Sequence, residues 1–435
     1  MEHRLNRQSG QPAREKGWRV SELPHTVRER AAAPFGKIVG MIHEVDTRQH
    51  FVACVEEQCV NRENIVEVHK IMFIPCNVAK AFAYFSLSRF ISTLIALAHR
   101  LAREKIRKFS GFEVALGATP ILPDKDYIVE DRGITGDAPK DFIRIRPSGT
   151  AGQDAPSDTW PAYIAKLGHK YYPGESVTEH LLTRIGQLLG LNMAESSLVE
   201  ADEKIRFLSR YFLSDEQILV HGADIFDKHL AKQENRTNAI ELYDGNWEEA
   251  TFQFACEAIR SVYPGQANDI LRAYVRMLAF DAIVGNNDRH HYNWGVVIHK
   301  NDQHEPYFSP VYDSARALFW NHAETKLQTI EQDTNPKRLP DFLNRYVKKS
   351  RPTVRWEGEN DLDHFALIRN IRQDYPDLVP ALVNLCPPQF VQLVQDILGN
   401  EFHLLMSNLR REMIIRCLTE RLNLVFPVLQ TRDAS

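Results

Sequence analysis

Short apolar runs in the middle of this chain give way to longer helical repeats in its second half. Three runs of β-branched and aromatic residues, separated by Gly, Pro, Asp and Ser, predict antiparallel strands at 127–129, 142–145 and 163–165. A helix is expected from Ser176 to about Gly190, where Leu and Ile recur at helical spacing, and a further strand is expected at 205–213. Beyond that strand, helical spacing predominates, at 247–262, 268–284, 361–372, 389–398 and 401–424.

The change of pattern predicts the domain organisation. A β-rich lobe over 121–214 and a helical lobe over 215–430 would make the chain α+β. Residues 35–120 are expected to form a separate, partly helical N-terminal region, with helical spacing from 78 to 101. Residues 1–34 are rich in Arg, Gln, Pro and Glu and are expected to form a mobile tail.

The most apolar window, 81–98, is long enough to raise the question of a membrane helix. Arg89 lies at its centre, and a charged residue there would oppose membrane insertion by about 2.5–3.5 kcal/mol. A helix buried in a protein core is therefore the better interpretation. The start of the chain also lacks the basic-then-apolar pattern of a secretory signal.

Composition limits the possible partners and the compartment. The 435 residues are 43% hydrophobic, and 53 basic side chains against 57 acidic ones leave a net charge of -4, which does not indicate a strongly basic nucleic-acid surface. The six cysteines are widely spread and form no CxxC pair at zinc spacing. We therefore expect a soluble, multi-lobed protein of the cytoplasm with reduced thiols.

A polar loop follows an apolar helix that ends at Gly285, and it carries the strongest chemical signal. Asp288 stands five positions before Asn293. An Asp there can accept or orient the proton of an acceptor hydroxyl, and an Asn can offer its amide oxygen to Mg²⁺. His290 and His291 are adjacent, which is not the i, i+4 spacing of a helical zinc pair. The loop therefore suits phosphoryl transfer, with Asp288 and His290 as candidate catalytic residues and Asn293 as a candidate metal ligand.

Phosphoryl transfer also needs a backbone cover over the phosphates, and the chain offers one upstream. Gly133 and Gly136 flank Ile134 and Thr135, and two glycines let the backbone approach an anion closely. An ordinary hairpin turn is the alternative interpretation of the two glycines. A second Gly-containing stretch, 148–152, competes for the same role.

Candidates for the phosphate-binding lysine, its carboxylate partner and a second metal ligand follow in the sequence order that kinases have. Lys166 ends a predicted strand, where it can reach phosphate oxygens, although a solvated Lys at a strand end is the alternative. Glu179 can pair with Lys166, or it can close a capping box with Ser176. Asp313 leaves a strand-like piece at 310–315, where it can bind a metal, although an Asp there also suits a turn.

Together these motifs resemble the HipA-like serine/threonine kinase family. They are Gly133-Ile134-Thr135-Gly136-Asp137-Ala138-Pro139-Lys140, Ile164-Ala165-Lys166-Leu167, the loop from Val284 to Asn293, and Pro310-Val311-Tyr312-Asp313. The resemblance implies a bilobal protein-kinase-like fold, Mg²⁺ and ATP as cofactors, and a Ser or Thr hydroxyl as acceptor. It implies that ATP contacts Gly133, Thr135, Gly136, Lys166 and Glu179, and that Mg²⁺ contacts Asn293 and Asp313.

The resemblance also implies regulation. Some members are toxins of toxin–antitoxin pairs that target an aminoacyl-tRNA synthetase, so an antitoxin or other regulatory partner is expected. Several members autophosphorylate on the Gly-rich loop. Gly133 stands where the family has its first loop serine, which leaves Thr135 as the candidate autophosphorylation site.

Two alternatives stay open at the level of sequence. Asp288-Arg289-His290 followed by Asn293 also resembles phosphatidylinositol kinases and secretory-pathway kinases, so the acceptor could instead be a lipid or another small molecule. A pseudokinase that binds nucleotide, or a partner through residues 35–120, is a third class. The joint presence of the expected site residues argues against that class.

Overall fold

In the computed structural model the chain consists of two compact units, Met1–Ala102 and Arg103–Ser435. The structure describes only the backbone of residues 39–43, 50–61, 64–75, 108–109 and 430. It describes side chains as well for residues 110, 114–115, 117–132, 140–147, 155–168, 171–232, 250–301, 303–359, 361–383 and 385–429. The domain boundaries expected at 34, 120 and 214 stay predictions.

The first unit contains a three-stranded antiparallel sheet. Its strands are Val39–His43 (β1), His50–Asn61 (β2) and Asn64–Pro75 (β3). The β2–β3 pairing continues as far as Asn61 opposite Asn64. The sequence pattern did not predict these strands, and the helix that it predicts at 78–101 lies outside the described residues, as does the tail at 1–34.

A five-stranded antiparallel sheet forms the β-rich part of the second unit. Its strands are Tyr127–Glu130 (β5), Lys140–Ile145 (β6), Ala162–Lys166 (β7), Ser196–Ala201 (β9) and Lys204–Arg210 (β10). They lie in the order β5–β6–β7–β10–β9. Two shorter strands, Lys108–Phe109 (β4) and Tyr171–Tyr172 (β8), pair in parallel beside it as a separate sheet. The four predicted strands of this lobe are confirmed, whereas β9 was not predicted.

Side chains alternate between the two faces of the large sheet, and this alternation orients Lys166. Ala165 lies in a small apolar cluster with Ile143 and Leu208. Lys166 is the next residue along β7, so its side chain points to the opposite face. There it stands opposite Phe207 of β10, with its Nζ 5.6 Å from the ring centroid.

Helix α1, Gly174–Leu188, packs against strands β9 and β10. Val177, Leu181 and Ile185 recur at helical spacing and are completely buried. This is the helix predicted from Ser176, and it begins two residues earlier than expected.

Helices make up most of the rest of the chain. They are Gly222–Lys232 (α2), Phe252–Val262 (α3), Ala267–Val284 (α4), Glu324–Glu331 (α5), Arg338–Lys349 (α6), His364–Asp374 (α7), Phe390–Asn400 (α8) and Asn408–Gln430 (α9). A small antiparallel sheet accompanies them: Gln217–His221 (β11), Gly295–His299 (β12) and Tyr307–Phe308 (β13). The predicted helices correspond to α3, α4, α7, α8 and α9, although α9 begins only at Asn408. No described helix is both long enough and apolar enough to span a membrane.

Helix α4 forms the centre of the helical core. It packs against α3, α7 and α9, and every residue from Met277 to Val284 is buried. Gly285 then ends the helix with a φ of +79°, and its N–H donates to the Asp281 carbonyl at 2.8 Å. A Cβ at this position would also lie 2.9 Å from Cζ of the buried Arg421. The polar loop therefore begins where only glycine suits both the conformation and the space.

Several histidines of the second unit are kept neutral by burial, and this predicts acid sensitivity. Burial lowers the pKa of His180, His291 and His322 to about 4 and holds the pKa of His364 well below its usual range. An unfolded chain with ordinary histidine pKa values binds more protons below about pH 6.5. The free energy of unfolding should therefore fall as the pH drops from 6.5 towards 4.

Urea unfolding at pH 7.5 and pH 5.5 measures this effect above the range where most carboxylates titrate. We expect a lower urea midpoint at pH 5.5, and a smaller difference between the two midpoints in His364→Leu. Equal midpoints for the wild-type protein would contradict the prediction.

Candidate active site

Lys166, at the end of β7 in the five-stranded sheet, forms ion pairs with two carboxylates. Its Nζ lies 2.7 Å from Oε1 of Glu179 on α1 and 3.0 Å from Oδ1 of Asp313 in the helical lobe. Lys166 and Glu179 are 8% and 5% exposed, whereas about a third of the Asp313 side chain is exposed. The ammonium group therefore lies where the β-rich and helical lobes meet. Of its two carboxylate partners, Asp313 is the one that solvent reaches.

The charges at this junction stabilise each other. Burial acts to lower the pKa of Lys166, but the carboxylates of Asp313 and Glu179 outweigh it and raise that pKa. Burial acts to raise the pKa of Asp313, but Lys166, with Lys140 and Arg289, lowers it to about 2. Burial raises the pKa of Glu179, and Lys166 opposes that shift. Lys166 thus stays protonated and Asp313 stays ionised at neutral pH.

The start of α1 decides between the two interpretations of Glu179. The helix begins at Gly174, so Ser176 and Glu179 both lie inside it and form no capping box. Instead, Ser176 Oγ accepts a hydrogen bond from the Gly168 N–H at 3.0 Å. The carboxylate of Glu179 is thereby left to pair with Lys166.

Asp288 and Asn293 are linked within the catalytic-loop candidate. The Asn293 side-chain amide donates to the Asp288 carbonyl oxygen at 2.7 Å, and the Asn293 N–H donates to the His290 carbonyl at 2.8 Å. The Asp288 carboxylate contacts Arg316, with Oδ1 2.7 Å from Nη1. His290 is half-buried and accepts a bond at Nδ1 from the Tyr292 N–H at 3.3 Å.

Arg289 holds this loop against the segment that ends in Asp313. One of its nitrogens, Nη1, donates to the backbone carbonyls of both Asn293 and Tyr312, at 2.8 and 2.7 Å. Its Nη2 donates to Ser314 Oγ at 2.6 Å. Because a single nitrogen reaches both carbonyls, Asn293 and the residue before Asp313 must lie side by side. Arg289 therefore brings the two candidate metal ligands together.

Asp281 on α4 anchors that arginine from behind. Its Oδ2 and Oδ1 accept bonds from Nε and Nη2 of Arg289 at 3.0 and 3.2 Å, a bidentate pair in which both side chains are 2% exposed. Asp281 also accepts from the Asn286 side-chain amide at 2.9 Å. The loop is thus fixed to the most buried helix of the lobe.

The segment before Asp313 differs from the sequence prediction. No strand forms at 310–315; Val311 makes only an isolated bridge with Met193. Asp313 itself adopts a left-handed conformation, with φ at +54°. This turn directs its carboxylate towards Lys166 rather than along an extended chain.

The donor atoms fit a hard cation such as Mg²⁺. Asp313 offers a carboxylate. The Asn293 NH₂ group donates to the Asp288 carbonyl, and the Asn293 amide oxygen accepts no hydrogen bond from the described residues. Carboxylate and amide oxygens with additional phosphate oxygens are typical of Mg²⁺ sites. Among the described side chains no group of three or more His, Cys, Asp and Glu could hold a metal ion.

Comparison with known proteins places this arrangement in a family. The sequence profile of the HipA-like C-terminal domain matches residues 133–365, which include the candidate loop, Lys166 and Asp313. The chain belongs to the HipA-like family. No curated protein matches the sequence.

A solved kinase structure supports the fold. The proinflammatory kinase CtkA of Helicobacter pylori is similar to this HipA-like chain over 72% of the chain and 97% of CtkA, with a TM-score of 0.57 and 18% sequence identity. The predicted bilobal kinase-like α+β fold is therefore confirmed. HipA of Shewanella oneidensis MR-1, solved with HipB and operator DNA, matches at a TM-score of 0.38 and 12% identity, over 62% of this chain and 61% of HipA.

The predicted nucleotide cover lies outside what the structure describes. Gly133, Thr135 and Gly136 fall in the undescribed stretch 133–139, so their roles stay predictions. Lys140, at the end of that stretch, is described, and it stands opposite Lys166 in the β6–β7 register. A second cation of this HipA-like domain therefore lies near the carboxylate of Asp313, and it contributes to the low pKa of that group.

Sequence reasoning missed the residues that support the HipA-like site. Arg289 and Asp281 hold the loop, and Arg316 pairs with Asp288. One signal was present: Asp281 is the only charged residue between Met277 and Val284. A carboxylate in so apolar a helix requires a buried partner.

Proposed function

We propose that this HipA-like chain is an ATP- and Mg²⁺-dependent kinase that phosphorylates Ser or Thr hydroxyls of a protein. The observation that carries the proposal is the position of Lys166, which is buried and bonded to Glu179 and Asp313 at the junction of the lobes. A lysine held between a helix carboxylate and a metal-binding carboxylate is the arrangement by which kinases order the phosphates of ATP. Family membership and the kinase fold point the same way.

Each site residue has a distinct task in this proposal. Lys166 binds phosphate oxygens, and Glu179 holds its ammonium group in place. Asp313 and Asn293 supply the oxygen ligands for Mg²⁺, which when bound neutralises charge on the phosphates. Asp288 orients the acceptor hydroxyl and takes its proton. His290 stays a catalytic candidate through its place in the loop.

Label transfer from radioactive ATP tests the proposal. Wild-type protein would be incubated with Mg²⁺ and labelled ATP, and either lysate protein or a lipid extract would be offered as acceptor. We expect label in protein Ser or Thr and none when Mg²⁺ is chelated by EDTA. Label found only in lipid would favour the small-molecule alternative, and no transfer to any acceptor would overturn the kinase proposal.

Autophosphorylation at Thr135 is a prediction of its own. In this proposal the hydroxyl belongs to the loop that covers the phosphates, so it should be phosphorylated during incubation with Mg²⁺ and ATP. Intact-mass measurement and peptide mapping would detect one added phosphate in the peptide that contains Thr135, and none there in Thr135→Val. Phosphate found only in other peptides would contradict the prediction.

We also propose that the chain acts as a toxin in the cytoplasm and has an antitoxin partner. Only family membership supports this part of the proposal. Controlled expression of the wild-type chain, with growth rate as the readout and Asp288→Asn as the inactive comparison, tests the toxin role. Equal growth with both proteins would remove it.

A further inference from the structure

Arg316 lies directly beside the residue to which the acceptor hydroxyl would bind. Its Nη1 is 2.7 Å from Oδ1 of Asp288, and the two side chains are 26% and 23% exposed. Its guanidinium also lies over the indole of Trp320, 5.6 Å from the ring centroid. Arg316 is therefore held between a carboxylate and an aromatic ring while solvent still reaches it.

Most of the donors of this guanidinium make no hydrogen bond to the residues that the structure describes. Arginine carries five N–H groups, and within the described chain the Asp288 carboxylate is the only hydrogen-bond acceptor of the Arg316 side chain. None of its nitrogens is buried without a partner. The guanidinium therefore keeps unused donors of a fixed positive charge one side-chain contact away from Asp288, where it is 26% exposed.

The backbone around Arg316 is built to hold this position. Leu318 and Phe319 have φ values of +49° and +65°, a left-handed conformation that side chains rarely adopt. Two neighbouring side chains support it: the Phe319 N–H donates to the hydroxyl of the half-buried Tyr346 at 2.6 Å, and the Phe319 carbonyl accepts from the buried Arg410 at 3.2 Å. The chain reverses direction at this turn, which brings the indole of Trp320 against the guanidinium of Arg316.

Charge in phosphoryl transfer develops on the three equatorial oxygens of the moving group. The acceptor oxygen must lie one hydrogen bond from Asp288, and the phosphorus approaches that same oxygen in line. A guanidinium bonded to the Asp288 carboxylate is therefore within reach of an equatorial oxygen. Lys166 and the metal ligands Asp313 and Asn293 serve the nucleotide side, whereas Arg316 stands on the acceptor side.

We propose that Arg316 is a further catalytic residue, which donates a hydrogen bond to the transferring phosphoryl group while its other donor orients Asp288. The inference rests on the proposed kinase function. In the step, the bond between the γ-phosphorus and the ADP oxygen breaks and the bond to the acceptor oxygen forms. The acceptor proton passes to Asp288, and Arg316 remains protonated throughout.

A different task for Arg316 is to bind an anionic group of the acceptor itself. The short contact with Asp288 favours the phosphoryl group, because it fixes the guanidinium at the reacting hydroxyl and not at a neighbouring position of the substrate. The two tasks differ in what they affect. Contact with the phosphoryl group changes kcat for every acceptor, whereas contact with an acceptor anion changes the KM of that acceptor.

Arg316→Ala and Arg316→Lys test the inference, with Arg345→Ala as the matched control. Arg345 is an exposed arginine of α6 without a side-chain partner among the described residues. We expect Arg316→Ala to lower kcat about 10²- to 10³-fold, as removal of one charge-stabilising donor typically does. The affinity for ADP should stay unchanged, whereas the affinity for ADP with aluminium fluoride, which mimics the transferring group, should fall.

Chemical rescue separates a catalytic from a merely structural role. Guanidinium ion at millimolar concentration should restore part of the kcat of Arg316→Ala, and Arg316→Lys should retain more activity than Arg316→Ala. Urea midpoints of all variants should match the wild type. A loss that neither guanidinium nor lysine reduces would overturn the inference, as would an unchanged kcat or a change confined to the acceptor KM. Wild-type protein without any phosphoryl transfer would instead overturn the proposed function, and the inference with it.

Discussion

Asp313→Asn should abolish phosphoryl transfer and weaken Mg²⁺-dependent nucleotide binding, whereas Asp288→Asn should abolish transfer and leave nucleotide binding largely intact. The two carboxylates differ in their partners. Asp313 faces Lys166 at 3.0 Å and its pKa of about 2 keeps it ionised for a metal. Asp288 lies on the loop after α4 and pairs with Arg316.

The magnitude follows from the two tasks. Loss of a general base lowers kcat by about 10²- to 10⁴-fold, which reduces label transfer by Asp288→Asn to the background of the assay. An amide at position 313 keeps the size of the side chain but removes the charge that holds both Mg²⁺ and Lys166, so binding and transfer should fail together. Calorimetric titration with ATP, with and without Mg²⁺, and label transfer to protein would measure both effects.

Asp341→Asn is the matched control. Asp341 is an exposed carboxylate in the first turn of α6, without a side-chain partner within the described chain, and its loss should change neither binding nor transfer. Transfer activity retained by both Asp288→Asn and Asp313→Asn would remove the site assignment.

Arg289→Met should produce the largest loss of stability in the site. Arg289 and Asp281 are 2% exposed in their side chains and form a bidentate pair. Removal of one partner leaves a buried carboxylate without its counter-charge, which costs about 3–5 kcal/mol. Urea unfolding, followed by tryptophan fluorescence, would show this as a lower midpoint for Arg289→Met, while the exposed control Arg345→Met stays at the wild-type midpoint.

The double variant Asp281→Leu/Arg289→Met separates stability from catalysis. Replacing both charges with apolar groups removes the unpaired carboxylate, so part of the lost stability should return. Activity should not return, because Asn293 and Tyr312 lose the nitrogen that holds their carbonyls together. A stable double variant with wild-type kcat would show that Arg289 does not position the site.

Local periodicity was sufficient for the elements with strong apolar repeats. Strands β5, β6, β7 and β10 and helices α1, α3, α4, α7 and α8 lie close to their predicted bounds, because each buries a regular face. Helix α6 was missed for the opposite reason: only Leu343 and Val347 are buried in it, and its remaining surface is largely polar. The helix predicted from 401 begins at Asn408, after a turn that periodicity does not detect.

Asp313 shows a limit of pattern reasoning within the site. The apolar residues before it suggested a strand, yet they form a single bridge, and Asp313 turns into the left-handed region. An apolar residue stands at position 311 because neighbouring elements bury it, and not because it pairs within a sheet. The role of Asp313 stays a prediction, whereas the predicted strand was wrong.

The sequence by itself determined the family resemblance, the order of the site residues and their chemical types. Those features depend on short motifs and spacings, which a linear chain displays directly. Only the tertiary structure decided the partners: Lys166 with Asp313, Arg289 with Tyr312 and Asn293, and Arg316 with Asp288. Lys166 and Asp313 are 147 residues apart in the chain, and their contact results from the packing of α1 and the sheet against the helical lobe. Sequence spacing can indicate such residues. Their charged groups come within hydrogen-bonding distance only when the sheet, α1 and the helical lobe pack together.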